Sequence, residues 1–159
     1  MKRIVMAGAI LLSSLVTFNT AVAAEQSPEQ QAAAATTTRQ AVFKLLSFSN
    51  GVLAGMTRGQ PYDKDAAILA TQRIELLAGM IPAVFAADTT ALNHGGAKSR
   101  ASNTIWGAKA DFDMLAADLA AAAVAGRALI EQKGEMGVGE AVRAIGPKCG
   151  ACHDRFRLE

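Results

Sequence analysis

The sequence predicts an all-α protein, an antiparallel up-down four-helix bundle. Apolar residues return every three or four positions through four separate segments, which is the period of a helix face. Almost nothing alternates in the two-residue rhythm of a strand, and the segments are joined by short connections, as in a bundle. The composition agrees: 51% of the 159 residues are hydrophobic, only 5% are aromatic, and alanine is abundant. That is one domain's length, with ample side chain for a single core. Sixteen basic residues against 14 acidic ones exclude a polybasic nucleic-acid binder. Two cysteines exclude a disulfide-dense scaffold.

Residues 1–24 read as a signal peptide, leaving 25–159 as the mature domain. Lys2 and Arg3 begin it, an apolar stretch runs from Ile4 to Val16, and Ala21-Val22-Ala23 offers the small residues of a cleavage site. The stretch is shorter than the ~20 residues that span a bilayer, so no membrane anchor is expected. Removing these 24 of 159 residues leaves 135, with 14 basic residues against 14 acidic ones and a formal charge of zero. Export points to the periplasm of a Gram-negative bacterium, where cysteines pair unless something else captures them.

Glu25 to Thr38 is polar and alanine-rich, with Pro28 near a helix start. The first stripe is Val42, Leu46, Ser49, Leu53 and Met56, with Phe43 one position off it. Gly59-Gln60-Pro61 ends that helix, and Asp63 is the cap expected for the next. The second stripe is Ala67, Ala70, Ile74, Leu77, Ile81 and Val84, with Pro82 ending or kinking its last turn. A polar loop from Asp88 to Asn103 holds His94. The third stripe runs from Ile105 through Ala108, Phe112, Leu115, Leu119, Ala122 and Gly126 to Leu129, predicting one helix over 104–133. Glycines at 134, 137 and 139 mark a turn. The fourth stripe is Val138, Val142, Ile145, Cys149, Cys152 and Phe156, with Pro147 expected to kink the helix or restart it.

Cys149-Gly150-Ala151-Cys152-His153 carries the chemistry. C-x-x-C-H is the attachment signature of c-type haem. Two thiols add to the two vinyl groups on one edge of a porphyrin, and the imidazole then reaches the iron. On a helix the three side chains stand at i, i+3 and i+4 and share a face. The reading is therefore one covalent haem c, with Cys149 and Cys152 in thioether bonds and His153 as axial iron ligand. A redox dithiol, a plain disulfide and a zinc site are the competing readings. Zinc needs about four ligands, and Cys152 beside His153 is poor geometry for it.

The order of these pieces resembles cytochrome c′, the class II c-type cytochromes. Arg39-Gln40 with Phe43 comes first, then Gly59-Gln60-Pro61-Tyr62-Asp63, Pro82-Ala83-Val84-Phe85, and Ile105-Trp106 with Phe112. The haem motif followed by Asp154, Phe156 and Arg157 comes last. The resemblance implies that Arg39 and Gln40 lie beside the haem propionates and that Phe43 covers the distal side of the iron. It implies that the 100–104 stretch passes the haem edge. There Thr104 would make contact, although Asn103-Thr104 stands where family members often carry Pro-Glu. Arg157 would lie near the proximal ligand. Family members are often homodimers packed through their first two helices, and the alanine-rich outer face of the first helix is compatible with that.

The sixth iron ligand decides the function. The related cytochrome c556 type has a methionine on the first helix, and the matching position here is Phe43, which cannot ligate. Met56 reads as core, and His94 would need its loop to fold over the haem. The expectation is a five-coordinate, high-spin iron serving in electron transfer with small redox partner proteins. The alternative is binding or scavenging of nitric oxide, with carbon monoxide, behind Phe43. An enzyme is not expected, since peroxidase chemistry wants a distal acid–base group and none stands near Phe43.

Overall fold

The computed structural model describes residues 26–92 and 98–159, so the signal-like segment and His94 lie outside the described residues. Its helices are α1 (Pro28–Thr57), α2 (Lys64–Val84), α3 (Thr104–Gly107), α4 (Lys109–Lys133) and α5 (Glu135–Phe156). The single turn of α3 leads into α4, and α1, α2, α4 and α5 are the four long members of the bundle. No strand occurs among the described residues, only one isolated bridge between Ala101 and Arg157.

Helix α1 starts eleven residues before Arg39. The Ser27 side chain accepts from Gln30 N–H, the Gln30 side chain accepts from Ser27 N–H, and Pro28 takes the first turn. Ala32, Thr36 and Arg39 extend the buried stripe backward from Val42, Leu46, Ser49 and Leu53. Asp63 caps α2, accepting from Ala66 N–H at 3.0 Å. Helix α2 passes Pro82 and ends two residues later, at Val84. It is long and apolar enough by composition to cross a membrane, with a mean hydropathy of 1.3 over one window. Its face of Ala67, Ala70, Ile74, Leu77 and Ile81 is buried in the bundle, so it serves as a core helix.

Two expectations are corrected. The helix expected over 104–133 is broken at Ala108, whose φ of −126° and ψ of 39° leave the helical region. The cause is tertiary. Trp106 Nε1 donates to the carbonyls of Phe85 and Ala87, each at 3.1 Å, which ties α3 to the end of α2. Lys109 Nζ, 3.4 Å from the Pro82 carbonyl, adds to the tie. Pro147 does not restart the last helix, because α5 is continuous from Glu135 to Phe156.

Gly134 joins α4 to α5 with φ +60°, a value that favours glycine. Helix α5 packs closely on α4 and only sparingly on α1. The space between α1 and α5 is where the site lies.

Candidate haem site

A cavity of about 780 Å³ opens between α1 and α5. That is within the range of cofactor and ligand pockets. Ile74, Ile81, Phe85, Ile105, Phe112 and Phe156 form its apolar interior. Arg39, Gln40, Phe43 and Asn50 of α1 line one wall, and Cys149, Cys152 and His153 of α5 line another. The segment 98–101 closes a third side. It is fastened to the end of α5, with Leu158 N–H donating to the Arg100 carbonyl at 2.7 Å and Ser102 N–H to the Phe156 carbonyl at 2.9 Å.

The three motif residues meet the cavity together, as the i, i+3, i+4 spacing requires. Both cysteines are half-buried and unpaired. Burial pushes both thiols up; for Cys152 the neighbouring Cys149 adds to this and Arg155 opposes it. A redox dithiol uses a thiol whose pKa is shifted the other way, downward. His153 is held below the usual imidazole value, first by partial burial, then by Arg157 and Arg100, with Asp154 acting in the opposite sense. A neutral imidazole is the form that ligates a metal. Arg157 Nη1 lies 3.5 Å from His153 Nδ1, which leaves the other ring nitrogen free for an iron. Among the described residues no group of three or more His, Cys, Asp or Glu side chains is arranged to hold a bare metal ion. Two free thiols and an imidazole with one ring nitrogen still available, on one wall of a large apolar cavity, fit a haem.

The remaining sequence-derived residues separate. Gln40 lines the cavity and donates Nε2 to the Lys98 carbonyl at 2.6 Å. Phe43 lines it at the opening, 36% exposed, with its edge toward Phe85 at 6.1 Å. Arg39 also lines it, but its guanidinium is buried. Its Nε donates to the Val84 carbonyl at 2.9 Å, Nη1 to Thr89 Oγ1 at 2.9 Å and Nη2 to the Ala87 carbonyl at 2.7 Å. The same group stacks 4.7 Å from the Phe85 ring centroid and 5.2 Å from that of Trp106. Burial pulls its pKa below the usual value while Asp88 acts the other way. Thr104 is not among the lining residues; its Oγ1 lies 2.8 Å from Ser102 Oγ. Met56 is also absent from the lining and packs on the core.

The sequence reading gave no site role to two further lining residues, Phe85 and Asn50. Phe85 links Phe43 to Phe112 and on to Phe156 through ring contacts of 6.1, 5.0 and 5.3 Å. Its place four residues after Ile81 on the second stripe could have revealed it. Asn50 has a buried Oδ1 without a hydrogen-bond partner, and nothing in its sequence surroundings signals that.

A helical bundle whose last helix turns C-x-x-C-H into an apolar cavity defines a c-type cytochrome. Comparison with known proteins gives the family. The model of the family described as cytochrome c′ matches residues 34–157, and this chain belongs to that family. A cytochrome c-556 of Agrobacterium tumefaciens (strain II Chrys) is 33% identical over 122 residues, 76% of this chain and 94% of that protein. A cytochrome c′ of Rhodopseudomonas palustris is 32% identical over 122 residues, 76% of this chain and 80% of that one. The crystal structure of cytochrome c′ from Thermochromatium tepidum superposes with a TM-score of 0.72 at 28% identity, covering 86% of this chain and all of that one. The cofactor of the family is one covalently attached haem c.

Proposed function

We propose that this chain is a periplasmic electron-transfer cytochrome with a five-coordinate, high-spin haem iron, and not an enzyme. One observation carries the reading. Among the described residues that line the cavity, His153 is the only histidine and there is no methionine. The resemblance puts Phe43 at the position of the ligating methionine of the c556 type, and a phenyl ring has no donor atom. Bound haem would supply a one-electron iron couple. This chain's residues do the rest. Cys149 and Cys152 would hold the group by thioether bonds, and His153 would give the iron a nitrogen ligand. Arg39 has spent three of its five N–H donors, so two remain for a propionate, as has one N–H of Gln40. A carboxylate there would also add to the counter-charge that Asp88 gives the buried guanidinium.

The test is the absorption spectrum of the purified mature protein after dithionite reduction. Broad, unsplit high-spin bands are expected. Sharp, split low-spin bands would sink the five-coordinate assignment. A second reading, binding of nitric oxide and carbon monoxide, is favoured by the half-exposed Phe43 ring, which can swing aside from Phe85. Tight nitric oxide binding with poor electron exchange would promote that reading over the first. The exposed Leu45 and Phe48 of α1 and Leu69 and Leu76 of α2 are the side chains that a homodimer through these helices would cover. Sedimentation of the holoprotein decides it.

A further inference from the structure

Helix α1 turns more than an aromatic ring toward the haem cavity. Gln40, Phe43, Ser47 and Asn50 line it at steps of three and four residues, so they form one stripe along that wall. The segment 98–101 sets the level of the stripe. It is bonded to Gln40 on one side and to Leu158 on the other. From there Phe43, Ser47 and Asn50 recede along α1 as His153 and Cys149 recede along α5. Phe43 therefore stands near the level of His153. At a rise of about 1.5 Å per residue, Ser47 lies about 6 Å beyond Phe43 and Asn50 about 10 Å. The chain itself uses neither polar group. Ser47 Oγ has no hydrogen bond among the described residues, and the buried Asn50 Oδ1 has none either. A buried carbonyl oxygen is normally paired, by protein or by ordered water. The interior formed by Ile74, Ile81, Phe85 and Phe112 offers no donor, so the partner of Asn50 comes from what the cavity holds.

We propose that Ser47 and Asn50 form a polar subsite on the distal wall that hydrogen-bonds the outer atom of an iron ligand, Ser47 directly and Asn50 through one ordered water. The ligand is one whose outer atom gathers negative charge on binding, as that of dioxygen does; the oxygen of carbon monoxide stays nearly neutral. Hydrogen-bond donors on the distal side decide which of these a haem favours. The inference rests on the five-coordinate iron proposed above and adds the chemical class of the ligand.

The experiment compares the ferrous holoprotein with its Ser47→Ala plus Asn50→Leu variant. The first probe is carbon monoxide, whose C–O stretching frequency, read by infrared absorption, is lower when a donor faces its oxygen. The frequency is expected to rise in the variant. The second probe is dioxygen, added with carbon monoxide and bound transiently after a flash expels the carbon monoxide. Its loss from the variant is expected to be about tenfold faster. Ser47→Thr keeps the hydroxyl and should keep the parent frequency, which a merely steric role would not predict. Ser47→Ala alone changes an exposed position and should raise the frequency by part of the full shift, so the proposal is tested even where the double variant does not fold. Equal frequencies and equal dioxygen loss in parent and variants overturn the subsite, while binding of carbon monoxide by all of them leaves the five-coordinate reading standing. A parent that takes carbon monoxide but shows no transient dioxygen adduct also overturns the subsite alone. A parent that binds neither gas overturns the five-coordinate reading and the subsite with it.

Discussion

The two halves of α5 are built on opposite rules. In the first half Gly137, Val138, Ala141 and Ile145 are buried against α4. The backbones there come so close that a Cβ on Gly137 would lie against the Leu129 carbonyl and one on Gly126 would stand 3.0 Å from Ala141 Cβ. In the second half no residue between Ile145 and Phe156 is buried, although Cys149, Cys152 and His153 face a cavity ringed by phenylalanines. Small residues close the helix pair at one end, and large ones stand back at the other. The second half of α5 therefore turns its thiols toward open space between α1 and α5, where a haem held by Cys149 and Cys152 would cover it.

The largest expected effect breaks the open half. Cys149→Ala with Cys152→Ala removes both thioether bonds, so the pigment should pass into acidified organic solvent, whereas in the parent it stays with the protein. Pigment retained by the double variant would mean that the attachment lies elsewhere. Next comes the closed half. Gly137→Ala places a methyl against backbone that cannot move aside, and the expected cost is about 3 kcal/mol. That corresponds to a fall in melting temperature of roughly 10 °C for a chain of this size. An unchanged melting curve would show that the close approach is not real.

The third effect lies between the halves. Arg39→Leu strips donors from the Val84 and Ala87 carbonyls and from Thr89. The expected loss is about 2 kcal/mol, seen as a lower melting temperature and faster amide exchange in the segment after α2. If Arg39 serves only a propionate, stability of the haem-free chain should not change. The fourth is smaller in stability and visible in the spectrum. Phe43→Met keeps an apolar side chain of similar bulk, so stability should shift by less than about 1.5 kcal/mol. The thioether sulfur should convert the iron to a low-spin, six-coordinate form and slow carbon monoxide binding.

Much of this was legible in the sequence because its determinants are local. The thiols and imidazole fall within five residues on one helix, so spacing alone places them on one face. The stripes through Val42 to Leu53 and Ala67 to Ile81 are buried as read. What escaped depends on distant partners. The break at Ala108 is set by a Trp106 indole reaching carbonyls 19 and 21 residues away. The destination of Arg39 depends on carbonyls 45 and 48 residues away. The start of α1 falls at Pro28, where the sequence marks it, but the alanine run hid that Ala32 and Thr36 extend the buried stripe.

The smallest prediction concerns the same loop and pH. The Asp88 carboxyl is held below the usual carboxylate range, first by the backbone N–H of Thr90 at 2.9 Å, then by the Thr90 side chain, with Arg39 adding and desolvation opposing. A group whose folded pKa is depressed contributes stability above its unfolded pKa and loses it as pH falls through the folded value. Between about pH 6 and about pH 3 the parent should therefore lose slightly more melting temperature than Asp88→Asn does. The group is fully exposed, so solvent keeps the difference small. Arg39→Leu should shrink it further, because the cation that helps hold the carboxylate is gone. Equal pH slopes for parent and Asp88→Asn would show that Asp88 contributes nothing to the loop, and that the bonds of Arg39 and Trp106 to its carbonyls hold it without the carboxylate.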